Sequence, residues 1–389
     1  MGGIGVRIVM FYHSLVSDWN HGNAHFLRGV ATEFVALGHE LRIYEPENAW
    51  SVRNLIEEAG EGAIREFHRA YPLLHSVRYG TPLDLDEALD GADLVLVHEW
   101  NEPQLIAAIG RHKRSCGNYR LFFHDTHHRS VTEPRAMARY DLSEYDGVLA
   151  FGETIRDTYL RNGWAKEAWT WHEAADVRVF RPHSDEAWPL QLLGDGKQQY
   201  DGDLVWIGNW GDDERAGELR EFLFDPAKEL GLRARVHGVR YPPSATAALA
   251  EAGIEYAGWL PNYEVPRVFS RFRVTVHIPR RPYVESLPGI PTIRVFEALA
   301  CGVPLVCSPW QDSEHLFTPG KDYLVARDGR EMKSQLRELL ANPSRARALA
   351  EHGRRTILDR HRCAHRASEL LAINELKAAN VPALERAFR

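Results

Sequence analysis

The chain has 389 residues, of which 44% are hydrophobic and 26% charged, with a formal net charge of -7. Single cores tend to divide beyond roughly 250–300 residues, so the length accommodates two, and the composition is that of an ordinary folded, soluble protein. The acidic balance gives no general support to nucleic-acid binding, although local basic pockets are compatible with it.

In chain order, Val6 to Tyr12 reads as a buried strand, followed by a loop containing Ser14, Asn20, His21, Gly22 and Asn23. Phe26, Val30, Phe34 and Leu37 then recur at helical spacing up to Gly38, and Leu41 to Tyr44 is the next strand. This strand–helix–strand opening is a βαβ beginning. A polar helical stretch from Trp50 to His68 precedes strands at Ala92 to Val97, Leu121 to Phe123, Gly147 to Phe151 and Ala168 to Trp171. These runs are continuously apolar, as parallel strands covered on both faces require. A Gly/Asp/Gln-rich stretch, Gly194 to Gly202, is the clearest composition break. It predicts one domain over 1–194, a second over 203–370 and a helix or tail over 371–389.

The rhythm restarts at Asp203 to Gly208, with a helix expected over Arg215 to Phe224 and strands at Arg233 to Val239, Tyr256 to Trp259, Arg273 to Ile278, Pro304 to Cys307 and Tyr323 to Val325. Helices are expected at Ala245 to Ala252 and Thr292 to Cys301, and almost throughout Arg330 to Lys377. No period of 20–50 residues repeats, so a solenoid is not expected. Four widely separated cysteines, Cys116, Cys301, Cys307 and Cys363, have no metal-ligand spacing and read as reduced thiols. Every apolar run is far too short to span a bilayer, and Met1 to Tyr12 lacks the parts of a secretory signal. Cytoplasmic residence is the default expectation, without integral membrane association.

Chemistry concentrates where strands open into helices. Gly208 to Arg215 forms one such turn, where glycine permits close backbone approach and free helix-start N–H groups favour an anion. A Gly-x-Gly-x-x-Gly fingerprint is absent there. The richest region runs from Arg280 and Arg281 through Gly289, Ile290, Pro291, Thr292 and Ile293 to Arg294 and Glu297. Ligands of open α/β sheets sit beyond the carboxyl ends of strands, where this loop must lie. Backbone N–H groups from Gly289 to Ile293 are candidates to grip a diphosphate, and the arginines to counter its charge. Glu297 lies one helical turn on, and an ionised carboxylate, being acceptor-only, suits the vicinal hydroxyls of a ribose.

Thr292 to Val306, TIRVFEALACGVPLV, resembles the sugar-nucleotide signature of the two-Rossmann-domain (GT-B) glycosyltransferases of group 1, most closely the spore-maturation, CgeB-like branch. Gly208-Asn209, Asp213 to Arg215, Gly258-Trp259, and His315 followed by Phe317 extend the likeness, which is strong over Asp203 to Arg355 and looser over Val6 to Pro182. The resemblance implies two Rossmann-like domains facing each other across a cleft. It also implies a nucleoside-diphosphate sugar donor, no cofactor or essential metal, and hexosyl transfer to a carbohydrate or small-molecule acceptor on the first domain. It places the ribose at Glu297 and the base near the Gly258 to Leu260 backbone, with Trp259 beside it. Typical retaining members carry a second glutamate eight positions earlier, where this chain has Gly289. A nucleotide-sugar epimerase or phosphorylase of the same fold, and a non-catalytic nucleotide-binding protein, are the alternatives.

In the first half, Gly22 is a candidate for close backbone passage beside the donor phosphates or the acceptor. His124 and Asp125, in Phe123 to Arg129, are the candidate catalytic pair. An imidazole near neutrality can move a proton, and Asp125 can orient it or act as the base itself. His124, His127 and His128 crowd too tightly for zinc. His98 to Glu102 ends a strand in the same way and is a further candidate for the acceptor side, and Phe151 to Glu153 and His172 to Asp176 are expected in similar places near the interdomain region.

Overall fold

A computed structural model describes residues 5–182 and 200–387. The chain forms two compact units. The first comprises residues up to Asp18, Phe26–Glu173 and the chain from Cys363 on; the second comprises Trp19–His25 and Ala174–Arg362. Of the expected boundary at Gly194 to Gly202, residues 194–199 lie outside the described residues.

The first unit carries strands β1 (Arg7–Phe11), β2 (Glu40–Pro46), β3 (Val77–Tyr79), β4 (Leu94–His98), β5 (Arg120–Asp125), β6 (Gly147–Ala150) and β7 (Ala168–Thr170). They form one sheet in the order β3-β2-β1-β4-β5-β6-β7. All pairs are parallel, with Val9 in register with both Arg42 and Val95. The continuous apolar runs are the cause, since β4 is buried at every position. Its helices include α1 (Ala24–Ala36), α2 (Pro103–Cys116) and α3 (Glu153–Arg161). Phe26, Val30 and Phe34 of α1 are buried as their spacing predicts. Leu37 is not: the helix stops at Ala36, and Leu37 is 54% exposed beside Gly38, whose φ of +82° turns the chain. The expected helix over Trp50 to His68 is two helices, Trp50–Ala59 and Gly62–Ala70, and β3 lacks the apolar run that would have announced it.

The second unit carries β8 (Gly202–Ile207), β9 (Ala234–His237), β10 (Ile254–Tyr256), β11 (Phe272–His277), β12 (Leu305–Cys307) and β13 (Leu324–Val325). Their order is β10-β9-β8-β11-β12-β13, again all parallel. The helices include α4 (Pro243–Glu251), α5 (Ile293–Ala300), α6 (Gly329–Ala341) and α7 (Pro343–Arg360). Trp206, Trp210, Phe222, Val274, Ile278, Met332 and Leu336 belong to one core cluster of this unit. The helix expected over Arg215 to Phe224 begins at Ala216 and passes through a π turn, Arg220–Phe224, before continuing as Asp225–Leu230. β10 lies two residues before the strand expected at Tyr256, because Gly258 takes a φ of +68° that no strand accommodates.

Helix α8 (Cys363–Ala387) returns to the first unit, where the Trp171 indole N–H donates to the Arg366 carbonyl at 2.9 Å and Ala367 and Leu370 are buried. Of the expected C-terminal helix or tail over 371–389, residues 371–387 belong to this helix. Both sheets show the Rossmann order, with the reversal between the first and fourth strands of each unit. Among the described residues no helix is long and apolar enough to cross a membrane.

Candidate functional site

In a sheet of this order, ligands bind beyond the carboxyl ends at the reversal, which in the second unit lies between β8 and β11. Arg215 ties those two strand ends together. Its guanidinium donates to the Ile278 carbonyl at 2.8 Å and to the Asn209 carbonyl, and it lies over the Trp206 ring, 5.0 Å from the centroid. Among the described residues it forms no ion pair, so carbonyl dipoles hold a full positive charge. Burial lowers its pKa to about 10, helped by the nearby Arg280 charge. The Arg215 and Arg280 Nε atoms flank Gly211, 3.1 and 3.3 Å from where a Cβ would stand. Gly211, Asp212 and Asp213 all take positive φ, a tight turn that sets Arg215 at this edge.

Arg280 pairs with Glu214 at 3.2 Å. Arg281, expected as a phosphate counter-charge, does other work: its guanidinium donates to the Asp213 and Glu214 carbonyls and approaches Glu218 at 3.6 Å. The turn at 211–214 leaves those carbonyls outside any strand ladder, and Arg281 satisfies them. Gly208 is committed in the same way. Its N–H donates to the His237 carbonyl at 2.8 Å and its own carbonyl accepts from the Tyr241 hydroxyl at 2.9 Å. The Gly258 carbonyl accepts the Gly238 N–H at 2.8 Å, and Trp259 is half-buried next to it.

Two of the N–H groups expected to grip a diphosphate are also taken. Gly289 donates to the Gln311 carbonyl at 2.7 Å and Ile290 to the Leu287 carbonyl at 3.4 Å. The loop must turn sharply here, with Gly289 at φ +90°, and the backbone pairs its own groups in doing so. The anion-binding potential therefore moves to the start of α5, whose first-turn N–H groups, Ile293 and Arg294, have no carbonyl one turn back. Thr292 precedes them but does not cap them; its hydroxyl bonds His277 Nε2 at 3.1 Å instead. Burial, with the Arg215 charge second, pushes the His277 imidazole down to about 3, so that ring is neutral. Gly22, whose segment belongs to this unit, lies against Ile293, 3.6 Å from where its Cβ would stand to Ile293 Cγ2.

Glu297 is fully buried on α5. Its Oε1 accepts from His25 Nδ1 at 3.0 Å and from the Asn262 amide at 3.1 Å, while Oε2 pairs with Arg294. Burial alone would raise its pKa. The Arg294 charge and the His25 hydrogen bond outweigh burial, and the carboxyl sits below its ordinary value. A carboxylate offers about four acceptor directions, and three donors already use it. His25 and Asn262 are the partners that sequence reasoning did not supply. They lie 272 and 35 residues from Glu297, and no local pattern joins them.

In the first unit, the candidate pair His124 and Asp125 separates. Neighbours on β5 point to opposite sides of the sheet. His124 is buried against Phe26, Trp171 and His98, with neither ring nitrogen hydrogen-bonded, and burial pushes it down to about 3. Desolvation favours the neutral imidazole and so disfavours proton uptake by this ring near neutrality. Asp125 does not orient it. Its oxygens accept instead from the His127 N–H at 3.0 Å and the Tyr159 hydroxyl at 2.8 Å.

The partner of Asp125 is Glu99, at the end of β4, which accepts from the Thr126 N–H at 3.0 Å. Burial raises both carboxyls, Asp125 to about 6 and Glu99 well above its ordinary value; the Asp125 charge adds to the rise at Glu99, whereas the hydrogen bond with Glu99 lowers Asp125. Arg129 stands beside Glu99 at 4.0 Å, bonds the Tyr140 hydroxyl at 3.2 Å and lies over the Trp100 ring at 4.7 Å. Among the described residues no three His, Cys, Asp or Glu side chains gather as metal ligands.

Residues 215–372 match a family model described as glycosyl transferase-like. No curated protein matches the chain. Solved structures share its fold at low identity. Sucrose-phosphate synthase from Thermosynechococcus elongatus is 15% identical, with a TM-score of 0.62 over 96% of this chain and 100% of its own. A glycosyltransferase from Rickettsia africae is 12% identical, with a TM-score of 0.66 over 96% of this chain and 98% of its own. The Anabaena protein HepE, solved with UDP and glucose, is 11% identical, with a TM-score of 0.66 over 95% of this chain and 99% of its own. The chain thus has the two-Rossmann-domain fold of the GT-B glycosyltransferases, and its second unit carries most of the match to a glycosyl transferase-like family.

Proposed function

We propose that the chain is a metal-independent glycosyltransferase that moves a hexosyl group from a nucleoside-diphosphate donor to a hydroxyl acceptor. The observation that carries this reading is the cationic carboxyl edge of the second unit. Arg215 is held there by carbonyls and the Trp206 ring rather than by an ion pair, with Arg280 and Arg294 near enough to depress its pKa. The start of α5 adds first-turn N–H groups to the same edge. The glycosyl transferase-like match begins at residue 215, and solved proteins of this fold hold UDP.

Departure of the sugar leaves negative charge on the diphosphate. Fixed guanidinium and N–H groups stabilise that charge without reorganising, which is the role a divalent ion plays elsewhere. Arg294 is the group that moves. Transferred from Glu297 to the diphosphate, it frees Oε2 for the ribose hydroxyls, while His25 and Asn262 keep Oε1. No side chain of the first unit is assigned as the base, since His124 stays neutral and both Glu99 and Asp125 are fully buried. The finer likeness to the CgeB-like branch and a cytoplasmic location belong to the same proposal.

Calorimetric titration with nucleoside diphosphates and their sugars tests it, together with mass spectrometry of products from mixed acceptors. Glu297→Gln is expected to weaken the cognate nucleotide by about tenfold, because the ribose loses a charged acceptor. A folded variant of unchanged affinity removes the ribose contact. A chain that binds no nucleotide removes the function.

A further inference from the structure

His25 ends the segment Trp19–His25, which is compact with the second unit. The segment is fastened at several points. The Asn209 amide donates to Asn20 Oδ1 at 2.8 Å, and Asn209 Oδ1 accepts the Val239 N–H at 3.0 Å. At the far end the fully buried His25 ring lies flat on Phe180, 3.7 Å between centroids at 8°.

Both ring nitrogens of His25 are engaged, and their partners decide the tautomer. The Asp176 backbone N–H donates to Nε2 at 2.8 Å. A backbone N–H cannot accept, so Nε2 bears a lone pair and the proton sits on Nδ1. Nδ1 faces Glu297 Oε1 at 3.0 Å and therefore donates to it. Histidine here is a rigid relay from a backbone N–H to a carboxylate, which an aliphatic side chain does not reproduce. Of the three donors on Glu297, Arg294 is the one partly exposed, at 26%; His25 and Asn262 are buried.

We infer that His25, as its Nδ1–H tautomer, is a positioning residue that orients Glu297 for a ribose. When Arg294 leaves for a diphosphate, the His25 bond keeps Oε1 inward and so presents Oε2. This rests on the nucleotide reading given above. It adds that discrimination between a nucleotide and a bare diphosphate depends on a residue that touches neither.

The test compares UDP with inorganic pyrophosphate in calorimetric titrations of the full chain. His25→Ala removes a hydrogen bond to a charged acceptor, so UDP is expected to weaken about tenfold. Pyrophosphate, which has no ribose, is expected to change by less than about twofold. His25→Asn places an amide N–H where Nδ1 stood and is expected to restore most of the UDP affinity. In a Glu297→Gln background, His25→Ala should have little further effect, as residues acting through one another are non-additive. Selective histidine 15N spectra, assigned by the loss of one ring in His25→Asn, should show the proton on Nδ1.

Equal weakening of UDP and pyrophosphate, unchanged UDP affinity in His25→Ala, or a proton on Nε2 overturns the inference alone. If the wild-type chain binds pyrophosphate but not UDP, the nucleotide reading falls first and this inference with it.

Discussion

Glu99 and Asp125 face each other from adjacent strands with no exposure to solvent, and burial raises both carboxyls. A carboxyl whose pKa rises on folding favours the folded state at low pH. That advantage is lost as pH climbs from the ordinary value of 3.8 or 4.5 through the folded one, which for Asp125 is about 6. Wild-type stability is therefore expected to fall between pH 4 and 7 by on the order of 1–3 kcal/mol from this pair. Glu99→Gln keeps an acceptor for the Thr126 N–H and supplies a permanent donor to Asp125. Urea unfolding should show a flatter pH dependence in this variant; an identical slope would mean the pair does not share a proton. Glu297 has the opposite sign. Its folded pKa is lowered, so its contribution is present above the ordinary 4.5 and is lost as pH falls below it.

At the scale of elements, the turn into α5 depends on Gly289. Its φ of +90° disfavours any side chain, and a Cβ would stand 2.7 Å from both Ser313 Oγ and Glu314 Cγ. Gly289→Ala is expected to cost about 1–3 kcal/mol in urea unfolding and to weaken nucleotide binding by displacing the start of α5. A variant of wild-type stability and affinity would show that the turn is not confined as described. The location of this turn was legible in the sequence, because continuous apolar runs reveal buried parallel strands and Gly and Pro mark where they end. What each side chain does there was not. Arg281 looked the same as Arg280, yet it spends its donors on the carbonyls of Asp213 and Glu214. His124 and Asp125 looked like a pair because they are adjacent, and the strand's alternation parts them. The true partner of Asp125 lies 26 positions away across a parallel pairing, and His25 meets Glu297 across 272, distances at which only the fold brings residues together.

At the scale of the molecule, the chain is not two consecutive halves: it leaves the first unit for the second and α8 brings it back. The buried Cys363, Ala367 and Leu370 and the Trp171 indole bond to Arg366 make α8 part of the first unit's core. Truncation after Arg362 is expected to lower the first unit's stability by at least about 3 kcal/mol from lost apolar burial. Unfolding followed by Trp171 fluorescence, with the other tryptophans replaced, reads this directly, and an unchanged transition would place α8 outside that core. Strand order, site and proposed activity converge on one claim, that the carboxyl edge of the second unit receives a nucleoside diphosphate. A crystal structure of the chain with UDP measures it. The diphosphate is expected against Arg215, Arg280, Arg294 and the first turn of α5, with Glu297 Oε2 on the ribose and Oε1 still held by His25. UDP bound elsewhere, with Arg294 still closed on Glu297, would contradict the account.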